Sequence, residues 1–403
     1  MYSRTEERAR EFAAKWGAAT VFTDIEAMAA SDSIDAVYIA SPNSFHAKQA
    51  IVLMDGGKHV LCEKPIASNA KELEAMIAAA QRSGIVLMEA LKTTLLPNFS
   101  AIRTNVSRIG QVRRYFASYC QYSSRYDAYR NGTVLNAFNP TFSNGALMDL
   151  GIYCLYPLVA LFGAPKSIQA TGVMLDSGVD GAGSILLSYP DMDAVVMYSK
   201  ITSSALPSEI HGEDGSLVID KINQPEKVEL RYRNGVIEDV TRPSAQHTMF
   251  YEIEEFIRLI RSGERESAIN SHAVSLAAMR IMDEARAQIG SCTRPISSKQ
   301  IARNIDERMN RVGLVKKLLI KPGHRIAVVN APDGFALPAE ELPDDAEVMD
   351  ELAGEADLLL MFARNQAELQ RLAPDVLPKL KDAAIFWVAY PKKKLEAEIR
   401  HHA

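Results

Sequence analysis

The sequence predicts an α/β protein in three parts: a parallel-sheet domain, an α+β domain built on a large open, mainly antiparallel sheet, and a small C-terminal α/β module. Three observations support this prediction. Short apolar strands alternate with helices over residues 1–93, which is typical of a parallel sheet with crossover helices. Residues 94–305 contain segments of alternating apolar and polar residues separated by turns. Strand and helix patterns alternate again in residues 309–403.

Composition excludes several classes of protein. A chain of 403 residues is long enough for two or three domains. The net charge of −5 provides no basic excess for nucleic acid or an acidic membrane. No uninterrupted apolar stretch reaches about 18 residues, so we expect a soluble, cytoplasmic protein. The four cysteines are far apart and lack the CxxC spacing of metal or redox sites, so no metal site is predicted: Cys62, Cys120, Cys154 and Cys292.

The first part reads as alternating helices and strands. The predicted helices are 5–16, 46–54 and 70–83, and the predicted strands are 35–40, 58–62 and 85–88. Gly56-Gly57 stops the second helix. Because consecutive strands are separated by helices, we expect them to run parallel, with their carboxyl ends at one edge of the sheet.

The second part has the pattern of an antiparallel sheet with one solvated face. Its predicted strands are 112–122, 184–189, 194–201, 216–219 and 228–232. Helices at 249–261 and 272–289 close this region. Turns such as Glu213-Asp214-Gly215 and Asn234-Gly235 separate the strands. The two parts together predict a cleft between two domains.

The third part contains predicted strands at 324–330, 356–363 and 383–389 and a helix at 365–372. The loop Ala331-Pro332-Asp333-Gly334 has a single glycine, and its proline removes an amide donor, so it is a poor phosphate site. The lysine run at 392–394 is interpreted as a solvated terminus.

The tetrapeptide Cys62-Glu63-Lys64-Pro65 directly follows an apolar strand. Proline ends the strand pairing, and Lys64 is placed at the carboxyl end, where ligands bind in open α/β sheets. A lysine there can hold a proton or lower the pKa of a neighbouring acid. The alternative is a surface loop with one ion pair.

The segment Gly145 to Tyr153 carries a second group. If it is helical, Asp149 and Tyr153 are four residues apart and share a face. The pKa of a tyrosine is about 10, and a nearby ammonium group such as Lys64 would lower it. Lys64 and Tyr153 would then move a hydroxyl proton while a hydride leaves the same carbon. The alternative is that Tyr153 is an ordinary half-buried aromatic residue and Asp149 a surface acid.

These blocks resemble the Gfo/Idh/MocA oxidoreductases over about residues 3–305. The resemblance rests on Ser41-Pro42-Asn43 with His46, on Glu63-Lys64-Pro65, on Gly145 to Tyr153 and on the turn Ile210 to Ser216. It implies a Rossmann-type dinucleotide-binding domain before a substrate and oligomerisation domain, with NADP or NAD as cofactor, a small-molecule substrate and a homo-oligomer, either dimer or tetramer. Many members carry histidine at the position of Tyr153. Tyrosine there resembles the branch of glucose-fructose oxidoreductase and dihydrodiol dehydrogenases.

The resemblance also implies site residues. The catalytic residues would be Lys64 and Tyr153, with Asp149 orienting the substrate. The cofactor-binding residues would be Ser3, Arg4, Ser41, Pro42, Asn43, His46, Glu63 and Lys64. Ser3 and Arg4 stand where the family reads the adenosine ribose, and arginine there favours a 2′-phosphate, hence NADP; the alternative is a disordered terminal arginine.

Residues 1–5 match only the end of the family's second strand, and no GxGxxG occurs in the chain. We therefore expect an N-terminally truncated, incomplete Rossmann-type domain whose dinucleotide binding is impaired, because the glycine turn brings the pyrophosphate onto a helix N-terminus.

The leading hypothesis is an NAD(P)-dependent oxidoreductase of sugar-like or cyclic alcohols and carbonyls. One alternative is a non-catalytic truncated remnant that acts as a binding or dimerisation protein. Another is a binding or regulatory protein whose activity lies in residues 309–403, which resemble a family of small uncharacterised bacterial proteins. Met309 has the character of a former start codon, which favours a fusion of two genes.

Overall fold

The computed structural model describes residues 1–291, 315, 318–332, 335–349, 355–363 and 366–389. The chain divides into two compact units, residues 1–295 and 296–403. The predictions that concern Cys292, Met309, the lysine run at 392–394 and the end of the loop at 333–334 lie outside the described residues.

The first unit begins with a three-stranded parallel sheet in the order β1-β2-β3. Its strands are β1 (Ala36–Ile39), β2 (His59–Glu63) and β3 (Leu87–Ala90). The helices are α1 (Glu6–Trp16), α2 (Ile25–Ala29), α3 (Asn43–Asp55) and α4 (Ala70–Ser83). Helices α3 and α4 are the crossovers between successive strands, as the alternating pattern predicts.

Local residue chemistry sets the ends of these helices. The Asn69 side chain accepts the N–H of Glu72 at 2.9 Å and caps α4, and Gly84 ends it in the left-handed region. Helix α3 begins at Asn43, earlier than the predicted start at His46, because Pro42 has no N–H and its fixed φ suits the start of a helix.

Strand β1 lies at the edge of its sheet, with alternate residues exposed. Tyr38 on this strand is 43% exposed and its hydroxyl donates to Glu63. The first residues of the chain make a separate parallel bridge between Tyr2 and Phe22. Strand β2 therefore has two paired neighbours, and its carboxyl end is held from both sides.

The second sheet of this unit has eight strands in the order β11-β10-β9-β8-β4-β7-β6-β5. Its strands are β4 (Val112–Cys120), β5 (Ser167–Met174), β6 (Asp180–Ser188), β7 (Asp193–Ser199), β8 (Ser208–Gly212), β9 (Gly215–Ile219), β10 (Val228–Tyr232) and β11 (Ile237–Asp239). Neighbours are antiparallel except β4 and β7, which are parallel. The predicted mainly antiparallel sheet is confirmed.

The helices of this part of the chain are α5 (Pro97–Asn105), α6 (Tyr126–Arg130), α7 (Ile152–Phe162), α8 (Phe250–Ser262) and α9 (His272–Ile289). Helix α8 packs through Phe256 and Leu259 on β2 and β3 of the parallel sheet, whereas α7 and α9 pack against the eight-stranded sheet and against each other. The Tyr156 hydroxyl lies 2.9 Å from Ser275 Oγ across that contact. The segment Pro140–Phe162 is long and apolar enough to cross a membrane, with a mean hydropathy of 1.7 over its 18-residue apolar stretch. However, 72% of that stretch is buried inside the protein. It packs as a core helix.

The second unit contains a four-stranded parallel sheet in the order β13-β12-β14-β15. Its elements are β12 (Arg325–Val329), β13 (Glu347–Met349), β14 (Ala356–Phe362), β15 (Leu380–Ala389) and α10 (Gln366–Val376). Ile326, Leu358 and Leu360 form part of its core. The predicted strands near 324, 356 and 383 and the helix near 365 are present.

Candidate active site

Lys64 directly follows β2, at the edge where the parallel strands end. Its side chain is 14% exposed. The turn after it is fixed by the N–H of Ile66, which donates to the buried Glu89 Oε1 at 3.0 Å. Lys64 Nζ donates to Asp149 Oδ1 at 2.7 Å and to the main-chain oxygen of Asp149 at 2.9 Å. The structure thus brings together two predicted site residues that are 85 positions apart.

Asp149 lies in a π-helical turn, Leu147–Gly151, that runs directly into α7. Tyr153 is the second residue of α7 and is partly buried. The Lys64 ammonium lies 4.7 Å from the centroid of the Tyr153 ring. The predicted helical spacing therefore brings Asp149 and Tyr153 to the same ammonium group, although the turn around Asp149 is wider than an α-helical one.

Lys200 is a member of this group that sequence reasoning missed. It follows β7 directly, and its Nζ donates to Asp149 Oδ2 at 2.7 Å. Asp149 therefore has an ammonium group on each carboxylate oxygen. The available signal was the position of Lys200 at a strand end, the same kind of position that singles out Lys64.

These contacts decide the charges of the group. Burial by itself would raise the pKa of Asp149, but Lys64 and Lys200 outweigh it and hold that pKa well below its usual range. Burial by itself would lower the pKa of Lys64, but the charge and hydrogen bond of Asp149, together with Tyr153 and Glu63, outweigh it and raise that pKa above its ordinary value. Asp149 is a carboxylate and Lys64 an ammonium group at neutral pH.

The pKa of Tyr153 is raised, which differs from the net lowering expected from Lys64. Burial is the largest cause, and the charge of Lys64 opposes it only in part. The carboxylates of Glu63 and Asp149 also favour the protonated form. Tyr153 is therefore a phenol at neutral pH and able to donate a proton.

Asn43 and Ser41 hold the turn that follows β1. Asn43 Nδ2 donates to the main-chain oxygen of Ser143 at 2.9 Å, joining this turn to the segment that precedes Asp149. The Ser41 hydroxyl donates to Gln49 Oε1 at 2.6 Å. Pro42 stands at the start of α3. All three predicted residues are partly buried at the edge where the parallel strands end.

His46 is 1% exposed and lies beneath this edge rather than on it. Its ring nitrogens face the main-chain oxygens of Pro65, at 2.9 Å, and Ser41, at 2.7 Å. The ring thus joins the turns that follow β1 and β2. We therefore expect His46 to support the nicotinamide side of the cleft without touching a cofactor, because its polar atoms are already used.

The remaining predicted cofactor residues lie nearby. The main-chain N–H of Ser3 donates to the main-chain oxygen of Phe22 at 3.1 Å. The exposed Arg4 guanidinium lies 5.2 Å from the Phe45 ring, in α3. The Glu63 carboxylate accepts from the Tyr38 hydroxyl and from the Lys64 N–H.

Aromatic rings border the charged group. Tyr119 packs edge-on against Tyr153 with ring centroids 5.6 Å apart. Beyond Lys200, whose Nζ lies 5.4 Å from the Phe138 ring, Phe138 packs against Tyr126 and Tyr129. Phe138, Tyr126 and Tyr129 come from the segment 122–142, whose richness in Tyr, Asn and Arg predicts that it shapes the substrate pocket.

Gly145 packs against protein rather than facing a ligand. Its φ is +148°, and a Cβ there would overlap the carboxylate of the buried Asp180. The N–H of Leu147 donates to Asp180 Oδ2 at 2.7 Å and fixes the start of the π-helical turn. Gly145 is thus required for the turn that places Asp149.

Known proteins are similar to this chain in sequence and fold. The model of an oxidoreductase family with an NAD-binding Rossmann fold matches residues 1–91, and that of the GFO/IDH/MocA C-terminal domain matches residues 104–218. The scyllo-inositol 2-dehydrogenase (NADP(+)) of Bacillus subtilis is 59% identical over 290 residues, covering 72% of this chain and 88% of that protein. The chain belongs to the Gfo/Idh/MocA family of oxidoreductases.

Two further proteins are similar to this chain at lower sequence identity. The trans-1,2-dihydrobenzene-1,2-diol dehydrogenase of Danio rerio is 34% identical over 307 residues, covering 72% of this chain and 87% of that protein. The crystal structure of aldose-aldose oxidoreductase from Caulobacter crescentus, with glycerol bound, has a TM-score of 0.63 at 21% identity and covers 71% of this chain and 88% of its own. The predicted fold class and the prediction of a nicotinamide-dependent oxidoreductase are confirmed by membership of the Gfo/Idh/MocA family.

Proposed function

We propose that this chain is a dehydrogenase of cyclic polyols that uses NADP, with Lys64, Asp149 and Tyr153 as its catalytic residues. The observation that carries the proposal is the position of the Lys64 ammonium, 2.7 Å from Asp149 Oδ1 and 4.7 Å from the centroid of the Tyr153 ring. A fixed cation beside a phenol is suited to moving a hydroxyl proton.

The residues at the strand ends fit a nicotinamide cofactor. Asn43 and Lys64 follow two neighbouring parallel strands at the sheet edge where such ligands bind. Both are partly exposed. A bound nicotinamide supplies the hydride acceptor for oxidation of an alcohol. The exposed Arg4, stacked on Phe45, provides a positive charge that favours the additional phosphate of NADP.

Oxidation of a secondary alcohol removes a hydride from carbon and a proton from oxygen. In oxidation the phenolate form of Tyr153, which is populated as the pH rises, takes the proton, and in the reverse reaction the phenol returns it to the carbonyl oxygen. Lys64 stabilises the phenolate and the developing alkoxide. Asp149, held as a carboxylate by its two ammonium partners, fixes Lys64 and accepts hydrogen bonds from substrate hydroxyls.

A cyclic polyol suits the surroundings of this group. Its hydroxyls can pair with the partly exposed Asp149 carboxylate, which is 38% exposed, and with Lys64. Its C–H faces can pack on aromatic rings such as Tyr119. The 59% identical relative, named as a scyllo-inositol 2-dehydrogenase that uses NADP(+), supports the same substrate class.

The experiment that tests the proposal combines binding and turnover. NADPH and NADH fluorescence titrations of the full chain are followed by oxidation of scyllo-inositol and D-glucose with NADP⁺. We expect tighter binding of NADPH than of NADH, and faster oxidation of scyllo-inositol than of D-glucose. The Arg4→Ala variant should reduce the preference for NADPH. A folded protein, verified by circular dichroism, that binds no NADPH at millimolar concentration would contradict the proposal and favour a non-catalytic binding protein.

A further inference from the structure

Lys200 is a buried cation next to the catalytic residues that has no assigned role. Its side chain is 5% exposed, and its Nζ donates to Asp149 Oδ2 at 2.7 Å. The same Nζ lies 5.4 Å from the ring of the fully buried Phe138. An ammonium group in such a place has lost most of its hydration and keeps its position only through these partners.

The main chain of Lys200 is fixed as well. Its N–H donates to the Gly181 oxygen at 2.9 Å, and its own oxygen accepts the Ser123 N–H at 2.8 Å. The turn that follows is closed by the Ser199 hydroxyl oxygen, which accepts the N–H groups of Ile201 and Thr202. Lys200 therefore has little freedom to leave Asp149.

The charges of the group add to a single excess cation. Lys64 and Lys200 contribute two positive charges and Asp149 one negative charge, so the three residues carry +1. Without Lys200, Lys64 and Asp149 would form a neutral pair whose opposite charges largely cancel at Tyr153.

We propose that Lys200 is a positioning residue that pairs with Asp149 Oδ2 and balances the charge of Asp149, so that Lys64 acts on Tyr153 as a cation that Asp149 does not cancel. This inference rests on the proposed role of Tyr153 in moving the proton. It gives each Asp149 oxygen one lysine partner and leaves the remaining lone pairs for substrate hydroxyls. Lys200 acts through Asp149 and is not placed in contact with the substrate.

Other titratable groups face Tyr153 and bear on its pH dependence. Glu63 at the end of β2, Asp149 in the π-helical turn and Glu252 in α8 all favour the protonated phenol. Tyr119 on β4 packs edge-on against it. Among these groups Lys64 favours the phenolate. Weakening its effect should therefore raise the pKa of Tyr153 further.

The test compares the Lys200→Met, Lys200→Arg and Lys200→Met/Asp149→Asn variants of the full chain. The pH profile of kcat/KM for NADP⁺-dependent oxidation of scyllo-inositol is measured for each. For Lys200→Met, we expect the rising limb to move to higher pH by about one unit, a roughly tenfold loss at a fixed pH on that limb. Lys200→Arg keeps the charge and should move the limb much less.

The double variant separates charge from structure. In this variant the group again carries a charge of +1, which belongs to Lys64 alone. The rising limb of its pH profile of kcat/KM should therefore return toward the wild-type position, even though two side chains are changed. Lys166→Met, which removes an exposed lysine, is the matched control and should leave the profile unchanged. An equal loss of rate at every pH in Lys200→Met, or a double variant with a further upward shift, would overturn the inference.

A titration of Tyr153 that does not require turnover makes this test independent of the proposed function. The ¹³Cζ resonance of Tyr153, assigned by its loss in Tyr153→Phe, is followed with pH in wild type and in the Lys200 variants. We expect a higher midpoint in Lys200→Met and a return in the double variant. Unchanged midpoints would overturn the inference even if turnover requires Tyr153. If turnover does not require Tyr153, the proposed function fails while the shift in midpoint still measures the effect of Lys200.

Discussion

The Lys64 ammonium lies over the ring of Tyr153, 4.7 Å from its centroid. The ammonium group is therefore attracted to the π face of the ring. Its positive charge also opposes the effect of burial on the pKa of Tyr153. Because burial is the larger effect, the resting phenol is protonated. Its acidity depends on charges that can be changed one at a time.

The Tyr153→Phe substitution removes the hydroxyl and keeps the ring beneath Lys64. We expect turnover of the full chain with NADP⁺ and scyllo-inositol to fall by roughly 10²–10⁴, the usual contribution of a general acid or base. Tyr119→Phe, in the neighbouring ring, is the matched control and should keep turnover within a few-fold. A turnover in Tyr153→Phe equal to that of wild type would mean that another group moves the proton.

The Lys64→Met substitution removes the cation that Tyr153 and Asp149 share. We expect a loss of roughly 10²–10³ in kcat, since a fixed charge no longer stabilises the alkoxide, together with weaker NADPH binding by fluorescence titration. Lys71→Met on the exposed surface of α4 is the control for loss of charge. Full activity in Lys64→Met would exclude Lys64 from the catalytic group.

The Asn43→Ala substitution breaks the hydrogen bond from Asn43 Nδ2 to the Ser143 oxygen. We expect a loss of about 0.5–1.5 kcal/mol in the free energy of unfolding and a higher KM, because the turn after β1 is no longer tied to the segment before Asp149. Asn43→Asp has the same shape without the donor and should behave no better than alanine. If Asn43→Asp retains wild-type stability and KM, the hydrogen bond is unimportant. Urea unfolding and steady-state kinetics give both quantities.

The buried Glu252 predicts a pH dependence of stability. Burial, aided by Glu63, raises the pKa of Glu252 to about 7. The folded protein therefore holds this proton more tightly than the unfolded chain, so Glu252 lowers stability as the pH rises from about 4.5 to 7.

Glu252→Gln removes that cost. We expect it to increase the free energy of unfolding by about 1–3 kcal/mol above pH 7, with the gain disappearing toward pH 4.5. Glu254→Gln, exposed on the same helix, should have no such effect. Thermal denaturation at several pH values measures both variants, and a gain for Glu252→Gln that is independent of pH would contradict the assignment.

The Gly145→Ala substitution tests the turn before Asp149. Its φ of +148° is unfavourable for alanine, and the new Cβ would meet the Asp180 carboxylate. We expect a loss of about 2–4 kcal/mol in the free energy of unfolding. Gly178→Ala, at φ +88° with no atom near the new Cβ, isolates the backbone effect and should cost about 1 kcal/mol. Equal losses in the two variants would show that contact with Asp180 is unimportant.

Local signals predicted much of the fold. Helix α4 occupies residues 70–83 as expected, because Asn69 caps its start and Gly84 its end. Helix α9 occupies the predicted 272–289 for the same reason, with Ser271 and Gly290 at its ends. The position of Lys64 at a strand end could likewise be predicted, because the end of a strand is marked by neighbouring residues such as Pro65.

Long-range and burial effects could not be read in this way. Strand β5 contains Gly172 and exposes most of its residues, so it lacks a clear alternating pattern. The parallel pairing of β4 with β7 depends on chain topology. The contact between Lys200 and Asp149 joins residues 51 positions apart, and the raised pKa of Tyr153 follows from burial that only the packed structure defines.

The π-helical turn Leu147–Gly151 makes the alignment of Asp149 with Tyr153 depend on a count of residues. A π-turn holds one residue more than an α-helical turn. Deleting one residue between the two would shorten their spacing from four residues to three and tighten the turn, which shifts Asp149 along and around the helix axis relative to Tyr153. Every side chain of the catalytic group could then be present and still fail to meet. Chain length in this segment is therefore a determinant of activity that a scan of point substitutions does not sample.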